Sequence, residues 1–217
     1  QDSQLPGMCM ALVGEASVQV WVYTNGDEVE LVLNGKSLGK QVVPMFEMAM
    51  FNVDFQPGTL TAKVMKGGQA WANDTIQTAG DPVAVILRLD DIMASNFVLA
   101  NGQDAMLITA TIVDSHDVIV SHVERELAFS VAGPGKLIGL GNGDPTSGED
   151  DKGRHMRTFS GKARAIIQAG KIPGTVTVAA TSPGLRAGSV SFQTHSPAEQ
   201  AGSVSRQTHS PAEIFYA

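Results

Sequence analysis

The sequence predicts an all-β protein built as two tandem β-sandwich domains. Three observations carry that prediction. Apolar and polar residues alternate along run after run, as half-buried strands require. Turn-forming residues interrupt these runs roughly every 8–12 residues. No segment keeps an apolar stripe at i, i+3, i+4 and i+7, so almost no helix is expected. The composition agrees: the 217 residues are 43% hydrophobic and only 17% charged, with 23 Gly and 10 Pro. That balance suits a turn-rich β fold with an ample core.

The first half offers strands at 18–24, 28–33, 36–43, 49–55, 59–65 and 70–78. Val20, Val22 and Thr24 alternate with Trp21 and Tyr23. Val29, Leu31 and Leu33 alternate with Glu28, Glu30 and Val32. Asn25-Gly26 and Asn34-Gly35 each tolerate the two positive φ angles of a type I′ turn, so residues 20–39 read as an antiparallel meander. Gln56-Pro57-Gly58 reads as a turn, and Lys66-Gly67-Gly68-Gln69 as a hairpin loop.

Residues 78–82 break the pattern, too briefly for a flexible linker, and the rhythm then restarts. Strands are expected at 83–89, 108–113, 118–120, 127–131 and 137–140, then at 163–168, 175–180 and 189–194. Asp114-Ser115-His116-Asp117 and Gly133-Pro134-Gly135 supply turns, and a long polar loop runs from Gly141 to about Arg157. The expected domains are therefore 1–80 and 81–195, followed by a tail at 196–217. That tail holds a second copy of residues 187–199 at 201–213, differing only in Arg206 for Phe192. One strand position exists for two candidates. Phe192 favours the first copy, because burying Arg206 there would cost heavily; the second copy is expected to be loose or paired with a neighbouring molecule.

Charge and composition exclude several function classes. The net charge is −7 and the pI about 5.1, which repels a phosphate backbone and makes nucleic acid an unsuitable partner. Cys9 is the single cysteine, so neither an internal disulfide nor a thiolate metal cluster can form. No apolar run reaches the ~18 residues of a membrane helix. A basic region leading into an apolar core is missing from the N-terminus, and a chain starting at Gln1 reads as processed or excised from something longer.

Candidate chemical sites are few. Trp21, Tyr23 and Trp71 are flat aromatics that could stack on sugars; the alternative is that they cover a core or an interface. Asn142, Asp144, Glu149, Asp150 and Asp151 crowd one glycine-rich loop and offer hard oxygen donors for Ca²⁺, without the spacing of an EF-hand. The alternative is a loop ordered by its own Asx turns. Gly139-Leu140-Gly141-Asn142-Gly143 does not fit a G-x-G-x-x-G phosphate cradle. His116, His122, His155, His195 and His209 lack the i, i+4 spacing of a zinc helix, and no Gly-x-Ser-x-Gly elbow is present. No cofactor is expected. Asn73-Asp74-Thr75 matches a glycosylation sequon in form alone.

Val20-Trp21-Val22-Tyr23-Thr24-Asn25-Gly26-Asp27-Glu28-Val29-Glu30-Leu31-Val32-Leu33-Asn34-Gly35-Lys36-Ser37-Leu38-Gly39 resembles the C-terminal immunoglobulin-like module of glycoside hydrolase family 2 β-galactosidases. Pro57-Gly58-Thr59-Leu60 and Thr78-Ala79-Gly80-Asp81-Pro82 continue the likeness in order. Phe129-Ser130-Val131-Ala132-Gly133-Pro134-Gly135, Gly141-Asn142-Gly143-Asp144-Pro145-Thr146-Ser147 and Phe159-Ser160-Gly161 resemble the next module of the same enzymes. Two departures stand out. Met45-Phe46-Glu47-Met48-Ala49-Met50-Phe51 occupies the stretch where that family usually has a His and a Trp, and Gly148 stands where it often has a His.

The resemblance implies two tandem immunoglobulin-like sandwiches whose partner is a catalytic (β/α)₈ barrel elsewhere in a longer chain. The two catalytic glutamates of that family lie on the barrel, which needs ~250 residues of alternating strand and helix. None can be carried onto a position here. The expected role is structural, with carbohydrate binding or surface adhesion as the alternative. A homo-oligomer contact is a further expectation, and the parent's compartment is left open between periplasmic and secreted.

Overall fold

The structure is a computed structural model that describes residues 7–12, 17–90 and 98–198. The chain divides into two compact units between Thr78 and Ala79. Each unit is an immunoglobulin-like β-sandwich with its own core.

The first unit contains β1 (Gly7–Leu12), β2 (Ser17–Tyr23), β3 (Glu28–Leu33), β4 (Lys36–Val42), β5 (Ala49–Asp54), β6 (Thr59–Lys66) and β7 (Gln69–Gln77). One sheet has the order β1-β2-β5 and the other β4-β3-β6-β7, all antiparallel. Val18, Val20 and Val22 from the first sheet and Val29, Leu31, Ala62 and Val64 from the second form one core. Complete burial of each such Val or Leu side chain contributes about 1.5–3 kcal/mol.

The meander expected over residues 20–39 is half right. Asn34 and Gly35 take φ of 51° and 81°, and Leu33 pairs with Lys36 around them. This is the two-residue I′ hairpin. Asn25-Gly26 makes no hairpin, because β2 and β3 lie in opposite sheets. The chain crosses between sheets there: Gly26 N donates to Thr24 Oγ1 at 3.1 Å, and Asp27 N donates to Met65 O at 2.8 Å. A side chain at Gly26 would run into Val64. Glycine is needed there for space, not for a positive φ. The hairpin at Gly67-Gly68 forms as expected, with φ of 58° and 76°.

The second unit contains β8 (Ala84–Leu89), β9 (Val98–Leu99), β10 (Ala105–Val113), β11 (Glu126–Ala132), β12 (Gly135–Gly141), β13 (His155–Arg157), β14 (Lys162–Ala169), β15 (Gly174–Thr181) and β16 (Gly188–His195). Its sheets run β12-β14-β10-β8 and β13-β11-β15-β16-β9, antiparallel except for the short parallel pair of β16 with β9. The core between them is anchored by Met106, Ile108, Ile112, Leu127, Met156 and Ile167.

Two expectations fail here. Residues 118–120 form an isolated bridge, Val113 to Ile119, because Asp114 draws the chain into a tight turn before a strand can extend. The polar loop after Gly141 ends in β13, where buried Met156 lies opposite Leu127. Strands β1 and β9 were also not anticipated: Gly7–Leu12 has no β-branched residue, and β9 is two residues long. The turn after β11 crosses between sheets, with Gly133 at φ 91° against the backbone carbonyl of Thr175. The first repeat copy forms β16 and buries Phe192 in the core. The second copy, at 201–213, lies outside the described residues.

Candidate functional site

In the first unit the alternation of β2 sends Val20 and Val22 inward and Trp21 and Tyr23 outward. Trp21 is half-buried, donates its ring N–H to Gln19 Oε1 at 3.0 Å, and lies opposite Met50 of β5. Tyr23 is exposed and borders a hollow of about 400 Å³ with Phe46, Glu47, Met48 and Met50. Trp71 belongs to the other sheet. It is the extra residue of a bulge, since Val64 pairs with Ala72 while Met65 pairs with Ala70. The bulge lets Trp71 pack against the core. Its ring N–H donates to Asn25 Oδ1 at 2.9 Å, and the Lys66 ammonium sits 4.6 Å from its centroid. Trp71 is thus engaged by its own unit, whereas Tyr23 presents its face to solvent.

In the second unit the acidic loop is held together by its own polar groups. Asp144 accepts from Thr146 N at 2.8 Å and from Thr146 Oγ1 at 2.7 Å. The Thr146 hydroxyl, then its backbone N–H, holds the Asp144 carboxyl below its ordinary value. Asn142 Oδ1 accepts from Asp144 N at 3.0 Å, and its Nδ2 donates to Arg157 O at 3.1 Å. Glu149 receives the Arg157 N–H at 3.1 and 3.3 Å. Asp150 Oδ1 accepts from Lys152 N, and Asp151 enters through its backbone carbonyl, which accepts from Leu140 N. Asn142, Asp144 and Glu149 edge a hollow of about 220 Å³ shared with Glu124, Arg157 and Phe159. Among the described residues, no group of three or more His, Cys, Asp or Glu side chains converges on a point that a metal ion could take. The carboxylates act on the loop's own N–H groups, as Asx turns do.

Two groups were missed in the sequence. Phe46 is 98% exposed at φ 68°, in a turn where only the unusual run of Met and Phe after Pro44 gave a signal. Asp114 is 4% exposed and accepts from the backbone of Gly80, His116 and Val118 at 2.8, 2.8 and 3.0 Å. The Gly80 N–H foremost holds its carboxyl below the ordinary value, against the opposing effect of burial.

Residues 93–191 match the model of glycoside hydrolase family 2 C-terminal domain 5, and residues 15–72 match a domain of unknown function, DUF4982. The chain carries a C-terminal domain of glycoside hydrolase family 2. It is 33% identical to a β-galactosidase of Bacteroides ovatus over 171 residues, which is 78% of this chain and 20% of that protein. It is 32% identical to a putative β-glucuronidase of Formosa agariphila over 70% of this chain and 15% of that one. A solved glycosyl hydrolase family 2 member from Bacteroides cellulosilyticus superposes with a TM-score of 0.76 at 29% identity, over 82% of this chain and 23% of that one. A β-glycosidase from Bacteroides vulgatus gives the same score and identity, over 82% and 22%. The family 2 segment thus spans about a fifth of the length of these relatives.

Proposed function

We propose that this chain is the non-catalytic C-terminal accessory region of a longer β-galactosidase-type glycosidase, where its two sandwiches support a catalytic barrel. The observation that carries the reading is proportion: relatives named as glycosidases are matched over only 15–23% of their lengths. The chemistry supports it. Retaining glycosidases need two carboxylates about 5–5.5 Å apart across a sugar. The loop carboxylates Asp144 and Glu149 are instead committed to the N–H groups of Thr146 and Arg157. The names of the relatives divide between β-galactosidase and β-glucuronidase, at 33% and 32% identity for the first of each.

The test has two parts. The pure chain is expected to show no turnover of nitrophenyl β-galactoside or β-glucuronide, and its upstream reading frame is expected to encode a barrel. Turnover by the isolated chain would end the accessory reading. A second reading, weak sugar binding, is favoured by one observation, the solvent-facing ring of Tyr23 beside an open hollow. Calorimetry with galacto-oligosaccharides supports it if binding is lost in Tyr23→Ala.

A further inference from the structure

The turn between β4 and β5 is built like an anchor without its socket. Glu47 N donates to Pro44 O at 3.1 Å, closing a turn with Phe46 at its third position. Phe46 takes φ 68° there, the place where a type II turn normally calls for Gly or Asn. A bulky aromatic seldom adopts this conformation unless something gains from it. Yet Phe46 is 98% exposed, beside Met45 at 81% and Met50 at 50%. The turn is nonetheless held in place. Gln41 of β4 donates through Nε2 to Met50 O at 2.6 Å and accepts from Met50 N at 3.0 Å, clamping the two strands that flank it. A preorganised anchor loses little entropy on docking.

We infer that this turn is a docking element, with Phe46 entering an apolar pocket on the catalytic part of the same longer chain. The inference rests on the accessory reading above. Three features select that occupant. Roughly four-fifths of the B. ovatus relative lies outside the match, ample chain to supply a socket. Residues 41–58 hold Glu47 and Asp54 and no Lys or Arg, so the complementary surface is apolar with a basic rim. A second copy of this turn would set those same acids against each other. The hollow beside Phe46 is lined mainly by Tyr23, Met48 and Met50, with Glu47 as its one charged group. That lining offers little to read sugar hydroxyls, whereas exposed Phe, Tyr and Met are what protein interface cores favour.

Phe46→Asn separates the outcomes, because Asn accepts the left-handed conformation that strains Phe. In the isolated chain it is expected to raise Tm by about 4 °C. In the longer chain encoded with this segment it is expected to lower Tm, and to speed proteolysis at the junction about tenfold or more, as loss of a hot-spot aromatic does. Phe46→Trp should preserve both properties of the longer chain. Unchanged Tm and proteolysis in the longer chain would overturn the inference. If deletion of residues 1–217 still destabilised the barrel, the accessory reading would survive that failure. Dimerisation of the isolated chain, or saccharide binding by it, abolished by Phe46→Asn would also overturn the inference, in favour of a second copy or a sugar.

Discussion

Of the turns that place a non-glycine residue at positive φ, those at Asp117 and Phe46 are supported in opposite ways. In the second unit, Asp117 sits at φ 61° in the turn that starts at Asp114. Aspartate tolerates that region, and the buried Asp114 carboxylate ties three backbone N–H groups around the turn. In the first unit, Phe46 sits at φ 68° with its ring in solvent. One turn is stabilised by its own chain. The other carries strain and apolar exposure that its unit does not repay. The difference separates a structural turn from one shaped for contact with something else.

The largest effect is expected where the second unit's turn meets its core. Ile112 is fully buried two residues before Asp114, with its carbonyl accepting from Val120 N, just beyond the turn. Ile112→Ala is expected to cost about 2–5 kcal/mol in urea unfolding of the second unit, as large-to-small core changes do. A cost near zero would show that the turn is not built on this core.

A smaller effect is expected at Asp114 itself. Asp114→Ala leaves three N–H groups without their acceptor and should lower Tm by several degrees. The wild-type pH dependence has a definite sign. The folded carboxyl titrates below its ordinary value of 3.8, so the folded state binds fewer protons than the unfolded chain. This contribution is complete above 3.8 and disappears as pH falls through the lower, folded value. Asp114→Ala should flatten the acid limb of a Tm-versus-pH curve. An unchanged limb would assign it to other carboxylates.

The smallest effect belongs to Asp117. Asp117→Gly keeps the left-handed backbone, removes an exposed side chain and should change stability by less than ~0.5 kcal/mol. Beside the Tm rise expected for Phe46→Asn, that near-silence sharpens the contrast between a relaxed turn and a strained one. A large loss at Asp117 would blur it.

Much of this fold could be read from residue order because alternation and turn chemistry are local. The runs of β5 and β16 follow from side chains that point in or out at every second position, whereas β3 keeps that alternation only as far as Leu31, because Val32 is buried as well. Asn34-Gly35 and Gly67-Gly68 turn as their φ preferences dictate. The candidate sites were legible as residue types but not as functions. Asn142, Asp144 and Glu149 carry the same oxygens whether they face an ion or their own backbone, and only folding aimed them at Arg157 and Thr146.

Local chemistry sets the β periodicity, the hairpins whose turns demand positive φ, and the preference for Phe192 over Arg206 in the last strand position. The pairing of strands was decided by tertiary structure. Asn25-Gly26 and Asn34-Gly35 are the same dipeptide, yet one crosses between sheets and the other closes a hairpin. The reason is physical. A local turn preference is worth little beside the burial of Val18, Val20 and Val22 against Val29 and Leu31, which requires β2 and β3 to face each other across a core. Likewise, no local rule could show that Trp71 would be taken up by its own unit while Phe46 is left for another surface to cover.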